Sequence, residues 1–170
     1  MKLHGSISFG NLRYAKGDDV PLYEVYPLFL VHMLLFGFGG FLNAYAGDNP
    51  SVFFLYLSGG FAILIYTVFY LAIFGRDEVK WMFINGALGV VGIYTQIDWI
   101  LSLFGKEISD YPVHIHVIPF LYFVLYTFLL RNAVLDITHS REDHRKKKRV
   151  EYVYVAVLIA CYIISYYFER

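Results

Sequence analysis

Five long apolar runs alternate with short polar segments between Pro27 and Phe168, and this pattern constrains the chain more than any other feature. The runs cover residues 27–46, 52–74, 78–104, 113–137 and 152–168. A helix needs about 20 predominantly apolar residues to cross the hydrocarbon core of a bilayer, and these runs are of that order. The alternative home for so much apolar surface is a water-excluding core. The chain has 170 residues, of which 58% are hydrophobic and only 16% charged, against about 25% charged in an ordinary soluble domain. A chain of this size has too high a surface-to-volume ratio to bury that surface by itself. The expected fold is therefore an all-α polytopic membrane helix bundle of five transmembrane helices, with the N-terminus inside and the C-terminus outside (N-in/C-out).

The segments between the runs carry the expected punctuation. Residues 1–25 are polar and read as a partly ordered cytoplasmic leader, although Ser6-Ile7-Ser8-Phe9 alternates as a short strand would. The first apolar run begins near Tyr26, too deep for a cleaved signal, so the first helix is expected to be retained. Pro27 suits a first-turn position. Asp48-Asn49-Pro50-Ser51 is turn chemistry and predicts a tight hairpin between the first two helices. Gly75 predicts a C-terminal cap, Asp77 an N-terminal cap, and Gly105 the end of the third helix. Asp110-Tyr111-Pro112 leads into the fourth. The fifth run is the shortest, but its apolar residues are not confined to one face.

Loop charge sets orientation, because Lys and Arg collect on the cytoplasmic side. The leader, the second loop and the basic loop 138–151 with neighbouring Arg131 carry twelve Lys and Arg, and the other side carries two, Lys106 and Arg170. Trp81 and Trp99 lie near opposite ends of the third helix. Tyr23, Tyr26, Tyr45, Tyr111 and Tyr152 lie near boundaries, as interfacial rings prefer. The expected setting is a bacterial inner membrane or an organelle equivalent. Cys161 is the only cysteine, which excludes an intrachain disulfide framework and a cysteine-cluster metal site.

Few residues in this pattern carry chemistry. Gly86, Gly89 and Gly92 recur every three residues in the third run and predict close helix packing there, which would put that helix at the bundle centre. Asp98, with Gln96 beside it, is an ionisable group within a span and so a functional candidate. His114 and His116 enter the fourth helix in the same leaflet, and Asn43 lies in the outer half of the first. Together they form a candidate substrate or proton site. A divalent metal held by His114, His116 and Asp98 would fit imidazole and carboxylate ligation. It would also require the segment before Pro119 to be extended, because residues two apart on a regular helix point about 200° away from each other. His32 belongs to the opposite end of the bundle, so a haem bridging His32 and His114 is not expected. Arg145, Lys146, Lys147, Lys148 and Arg149 predict contact with anionic lipid headgroups or with an acidic partner. Nothing else supports nucleic-acid binding.

No phosphate loop, nucleophile elbow, zinc-protease helix or dinucleotide fingerprint is present. The loops are too short for a soluble active site. The leading expectation is a small non-catalytic membrane subunit or binding protein that assembles with itself or with a larger membrane complex. A carrier or channel for a small solute or proton, built on the Asp98 and histidine site, is the alternative. A metal-dependent intramembrane enzyme acting on a lipid is the second alternative.

Overall fold

The computed structural model describes residues 2–9, 12–47, 51–141 and 143–168. It is predominantly helical, and among the described residues three helical segments are long and apolar enough to cross a membrane: Val25–Tyr45, Val52–Phe74 and Val113–Ile137. Two strands, β1 (Ile7–Phe9) and β2 (Leu12–Tyr14), precede the helices. The helices are α1 (Leu22–Tyr45), α2 (Val52–Phe74), α3 (Arg76–Leu88), α4 (Val90–Ser102), α5 (Val117–Ile137) and α6 (His144–Phe168). Two compact units divide the chain, Met1–Phe128 and Leu129–Arg170.

The first unit begins with an antiparallel β1–β2 hairpin that pairs Ile7 with Tyr14 and Ser8 with Arg13. The brief alternation in the leader is thus a strand. The leader docks on the C-terminal end of α2, where the last carbonyls of a helix lack partners. The His4 and Gly5 amides both donate to the Ala72 carbonyl, at 2.9 and 2.8 Å, and the His4 ring Nδ1 donates to the Ile73 carbonyl at 3.1 Å. Gly75 ends α2 at φ +89°, as the sequence leads one to expect. A side chain there would be strained by that φ and would also strike the His4 ring, 2.8 Å from an added Cβ.

Several boundaries differ from expectation. Helix α1 starts at Leu22, so Pro27 lies inside it rather than in its first turn. The missing N–H and the ring's clash with the preceding turn make this a locally weak point. Of the expected turn at 48–51, residues 48–50 lie outside the described residues; Ser51 caps α2 by accepting the Phe54 amide at 3.4 Å. One turn of α2, Leu55–Gly59, is wound as a π-helix. Asp77 does not cap α3; it lies in the first turn, and Gly75 occupies the cap position.

The third apolar run is two helices rather than one. Gly89, at φ −88° and ψ 9°, leaves helical geometry between α3 and α4. Three glycines in seven residues explain the weakness, since each costs a helix about 1 kcal/mol relative to alanine. The close-packing role also falls differently. An added Cβ on Gly86 would meet the Val124 methyls at 2.7 and 2.9 Å, whereas Gly92 faces open space and Gly89 meets only its own helix's carbonyls.

The centre of the first unit is consequently the start of α5. Half of the Val113–Ile137 window is buried, against 17% for the α1 window and 28% for the α2 window. Ile118 lies against Gly59, Tyr122 against Gly40 and Val124 against Gly86, so α5 touches α2, α1 and α3 where each lacks a side chain. The Tyr70 hydroxyl donates to the Leu125 carbonyl at 3.2 Å. Tyr70, Phe74 and Phe128 pack edge-on or tilted with centroids 5.2 to 5.5 Å apart. Outward faces remain apolar, with Leu34, Leu35, Phe53, Phe61, Leu64 and Val91 all exposed. So many exposed large apolar side chains are unusual on a soluble monomer and suit lipid.

In the second unit α5 ends in a left-handed cap. His139 has φ 49°, the Ser140 amide donates to the Leu135 carbonyl and the His139 amide to the Asp136 carbonyl. This is a Schellman arrangement with histidine where glycine is usual. Arg141 donates to both Asp136 oxygens and, at 2.9 Å, to the buried Asn132. Arg131 pairs with Glu151. The basic residues Arg145 to Arg149, expected in a loop, instead form the first turns of α6, which Asp143 caps by accepting the Arg145 and Lys146 amides.

Candidate functional site

The polar groups of the first unit collect where α1 ends, α4 ends and α5 begins. Gly105, at φ +68°, turns the chain away from α4. Asp98 then accepts the Ile108 amide at 3.0 Å, and Glu107 and Asp110 each accept the other's backbone amide across the 3-10 turn Ile108–Asp110. The three carboxylates therefore hold the loop's own backbone. This stapling brings Lys106 and Tyr111 against the last turn of α1.

There the Lys106 ammonium donates to the Tyr45 carbonyl at 2.6 Å and to the Tyr111 hydroxyl at 2.9 Å. The Tyr111 hydroxyl donates in turn to the Tyr45 carbonyl at 2.9 Å. His116 is buried and bridges two tyrosines. Its Nε2 donates to the Tyr111 carbonyl at 3.2 Å, since a carbonyl can only accept. In the neutral ring Nδ1 is then the acceptor, and it takes the Tyr45 hydroxyl at 2.8 Å. Tyr45 also stacks on His116 with centroids 5.7 Å apart, and Tyr94 meets the same ring edge-on.

The residues singled out in the sequence are not gathered into one site. The segment Val113–His116 is a 3-10 helix and not the extended chain that a shared metal site would require. Its two histidines diverge: His114 is exposed and offers its backbone carbonyl to the Tyr56 hydroxyl at 2.7 Å, while His116 turns inward. Among the described residues no group of three or more His, Cys, Asp or Glu is placed to hold a metal ion. Gln96 and Asn43 are half-buried on α4 and α1. His32 is exposed and donates to the Leu28 carbonyl of its own helix at 2.8 Å.

Below the Lys106 cluster lies a feature that sequence reading missed. A cleft of about 720 Å³ runs between α1, the end of α4 and α5, within the range typical of small-molecule sites. Its walls are apolar: Leu34, Phe38 and Leu42 from α1, and Tyr122, Phe123 and Tyr126 from α5. Gly37 opens one wall, with an added Cβ no closer than 3.8 Å to Tyr122. Lys106 is the only charged residue on its lining among the described residues, and Tyr45 stands beside it. The available signal was Lys106 itself, a lone base in an otherwise base-poor segment. No family model, curated protein or solved structure matches the chain.

Proposed function

We propose that the chain is a small non-catalytic integral membrane protein, a binding protein or subunit of a larger membrane assembly. In this proposal it has five spans, N-in/C-out, in a bacterial inner membrane or an organelle equivalent. The cleft is the observation that carries the binding role. It is large, mostly apolar and partly open, with the one charged side chain among its described lining residues at one end, which is the usual anatomy of a site for an apolar or amphipathic molecule.

The topology draws support from the two ends of the first unit. The leader bonds to Ala72 and Ile73 at one end, and Lys106 and Tyr111 bond to Tyr45 at the other. That arrangement fits α1 and α2 as two crossings and α3 with α4 as a kinked third. Helix α6 runs from His144 to Phe168, and its part beyond Arg149 spans about 28 Å at 1.5 Å per residue, close to the thickness of the hydrocarbon core and so compatible with a fifth crossing below its basic first turns. The two alternatives fit the geometry less well. A carrier built on Asp98 would have to release it from the Ile108 amide, and a metal site would have to rotate His116 away from two tyrosines.

Purification in a mild neutral detergent, followed by native mass spectrometry, tests the binding role. A retained lipid-sized ligand or a co-purifying membrane partner is expected. A ligand-free monomer without a partner would overturn it.

A further inference from the structure

The two ends of the cleft differ in a way that specifies its occupant. Met33 and Tyr126 line its deep end, and Ala46, Tyr45 and Lys106 line the other. From Met33 to Ala46 is thirteen helical steps, about 20 Å along α1 at 1.5 Å per residue. One leaflet's hydrocarbon is half of about 30 Å, so the cleft is long enough for a chain from that leaflet. Its exposed apolar walls at Leu34, Phe38 and Leu42 leave it open for such a chain to enter sideways.

Charge decides the headgroup. An ammonium carries three N–H donors, and among the described residues Lys106 commits two, to Tyr45 and Tyr111. None of the carboxylates of the adjoining loop, Asp98, Glu107 and Asp110, lines the cleft; each accepts amides of the loop. A neutral hydrocarbon filling the cleft would take water from the ammonium and return nothing, which is costly. A phosphate or carboxylate would supply a charge-assisted hydrogen bond to the remaining N–H.

We infer that the cleft holds one anionic membrane lipid, its headgroup against Lys106 and one acyl chain laid along α1 and α5 toward Met33. This rests on the binding role proposed above and names its ligand.

The test uses the full chain in neutral detergent, with Lys146, Lys147 and Lys148 changed to glutamine to silence the basic turns of α6. Phosphatidylglycerol, phosphatidylcholine with the same acyl chains, and inorganic phosphate are titrated separately by native mass spectrometry. One phosphatidylglycerol is expected to bind about tenfold more tightly than phosphatidylcholine, as a hydrogen bond to a charged group implies. Lys106→Gln should abolish that preference, and Lys106→Arg, which keeps the charge, should retain it. Gly37→Leu, which projects into the cleft, should weaken both lipids at least tenfold. Equal affinities for the two lipids, or a preference that survives Lys106→Gln, would overturn the anionic assignment while leaving the binding role standing. Phosphate competing with full strength would mean an anion site without a chain site, and would overturn it also. Failure to bind any lipid or partner would defeat the binding role itself.

Discussion

Gly86 offers a sharp test of the packing at the centre of the first unit. An alanine Cβ there would sit 2.7 and 2.9 Å from the two Val124 methyls. Carbon pairs prefer about 3.5–4.0 Å, so α3 and α5 would have to part by about 1 Å or Val124 would have to leave its rotamer. Valine is stiff at χ1, and overpacking of this kind costs about 1–3 kcal/mol. Replacing glycine in a helix returns about 1 kcal/mol, so Gly86→Ala should destabilise by about 1 kcal/mol net. Gly92 has nothing within 4 Å of an added Cβ, so Gly92→Ala should stabilise by up to about 1 kcal/mol. The two alanines should thus differ by about 2 kcal/mol. In a Val124→Ala background, Gly86→Ala should lose its penalty and behave like Gly92→Ala. Reversible unfolding in mixed micelles, followed by circular dichroism, measures each value. Equal effects at the two glycines, or strict additivity with Val124→Ala to within about 0.5 kcal/mol, would refute the close approach of α3 to α5.

His139→Gly should stabilise the chain by about 1 kcal/mol in the same assay, because the left-handed cap at φ 49° costs an L-residue about 1–2 kcal/mol. Tyr45→Phe would strip the hydroxyl from the buried His116 acceptor and should cost about 1–3 kcal/mol; a silent substitution there would contradict the tyrosine–histidine bridge. Asp98→Asn keeps an oxygen for the Ile108 amide and should leave stability within about 1 kcal/mol, whereas a large loss would point to a role for the charge itself. Reporter fusions after Gly75 and at both termini should place the leader and the Gly75 turn on one side and the C-terminus on the other; a C-terminus on the leader's side would remove the fifth crossing.

The helices were legible wherever length and polarity decide the matter. Residues 52–74 and 113–137 coincide with apolar segments of the structure, and Gly75 and Gly105 stop helices because only a residue without Cβ accepts their positive φ without strain. Local rules failed where two competed. The glycines at 86, 89 and 92 can each mean either close approach or a weak helix, and only the position of Val124 separates the cases. The site was the least legible part. Lys106 reaches a carbonyl 61 residues away, and His116 a hydroxyl 71 residues away. Neither partner is marked by spacing, and a backbone carbonyl is not marked by residue type at all. Asp98 attracted notice as a charge within a span, yet its geometry makes it a backbone staple.

The docked leader carries a consequence for how the chain is made. His4 bonds to a carbonyl 69 residues later, so its partner does not exist when the leader first emerges. At about 5–20 residues per second of synthesis, the delay is on the order of 3–14 s. Through that interval the His4 and Gly5 amides must stay solvated while α1 and α2 are made and, in the proposed topology, cross the membrane. The clasp can then close only if residue 72 returns to the side where the leader waits. In the proposed topology the clasp thus ties the docking of the leader to the parity of the first helical pair: a chain in which residue 72 ended on the far side would leave the His4 and Gly5 amides without the carbonyl that accepts them.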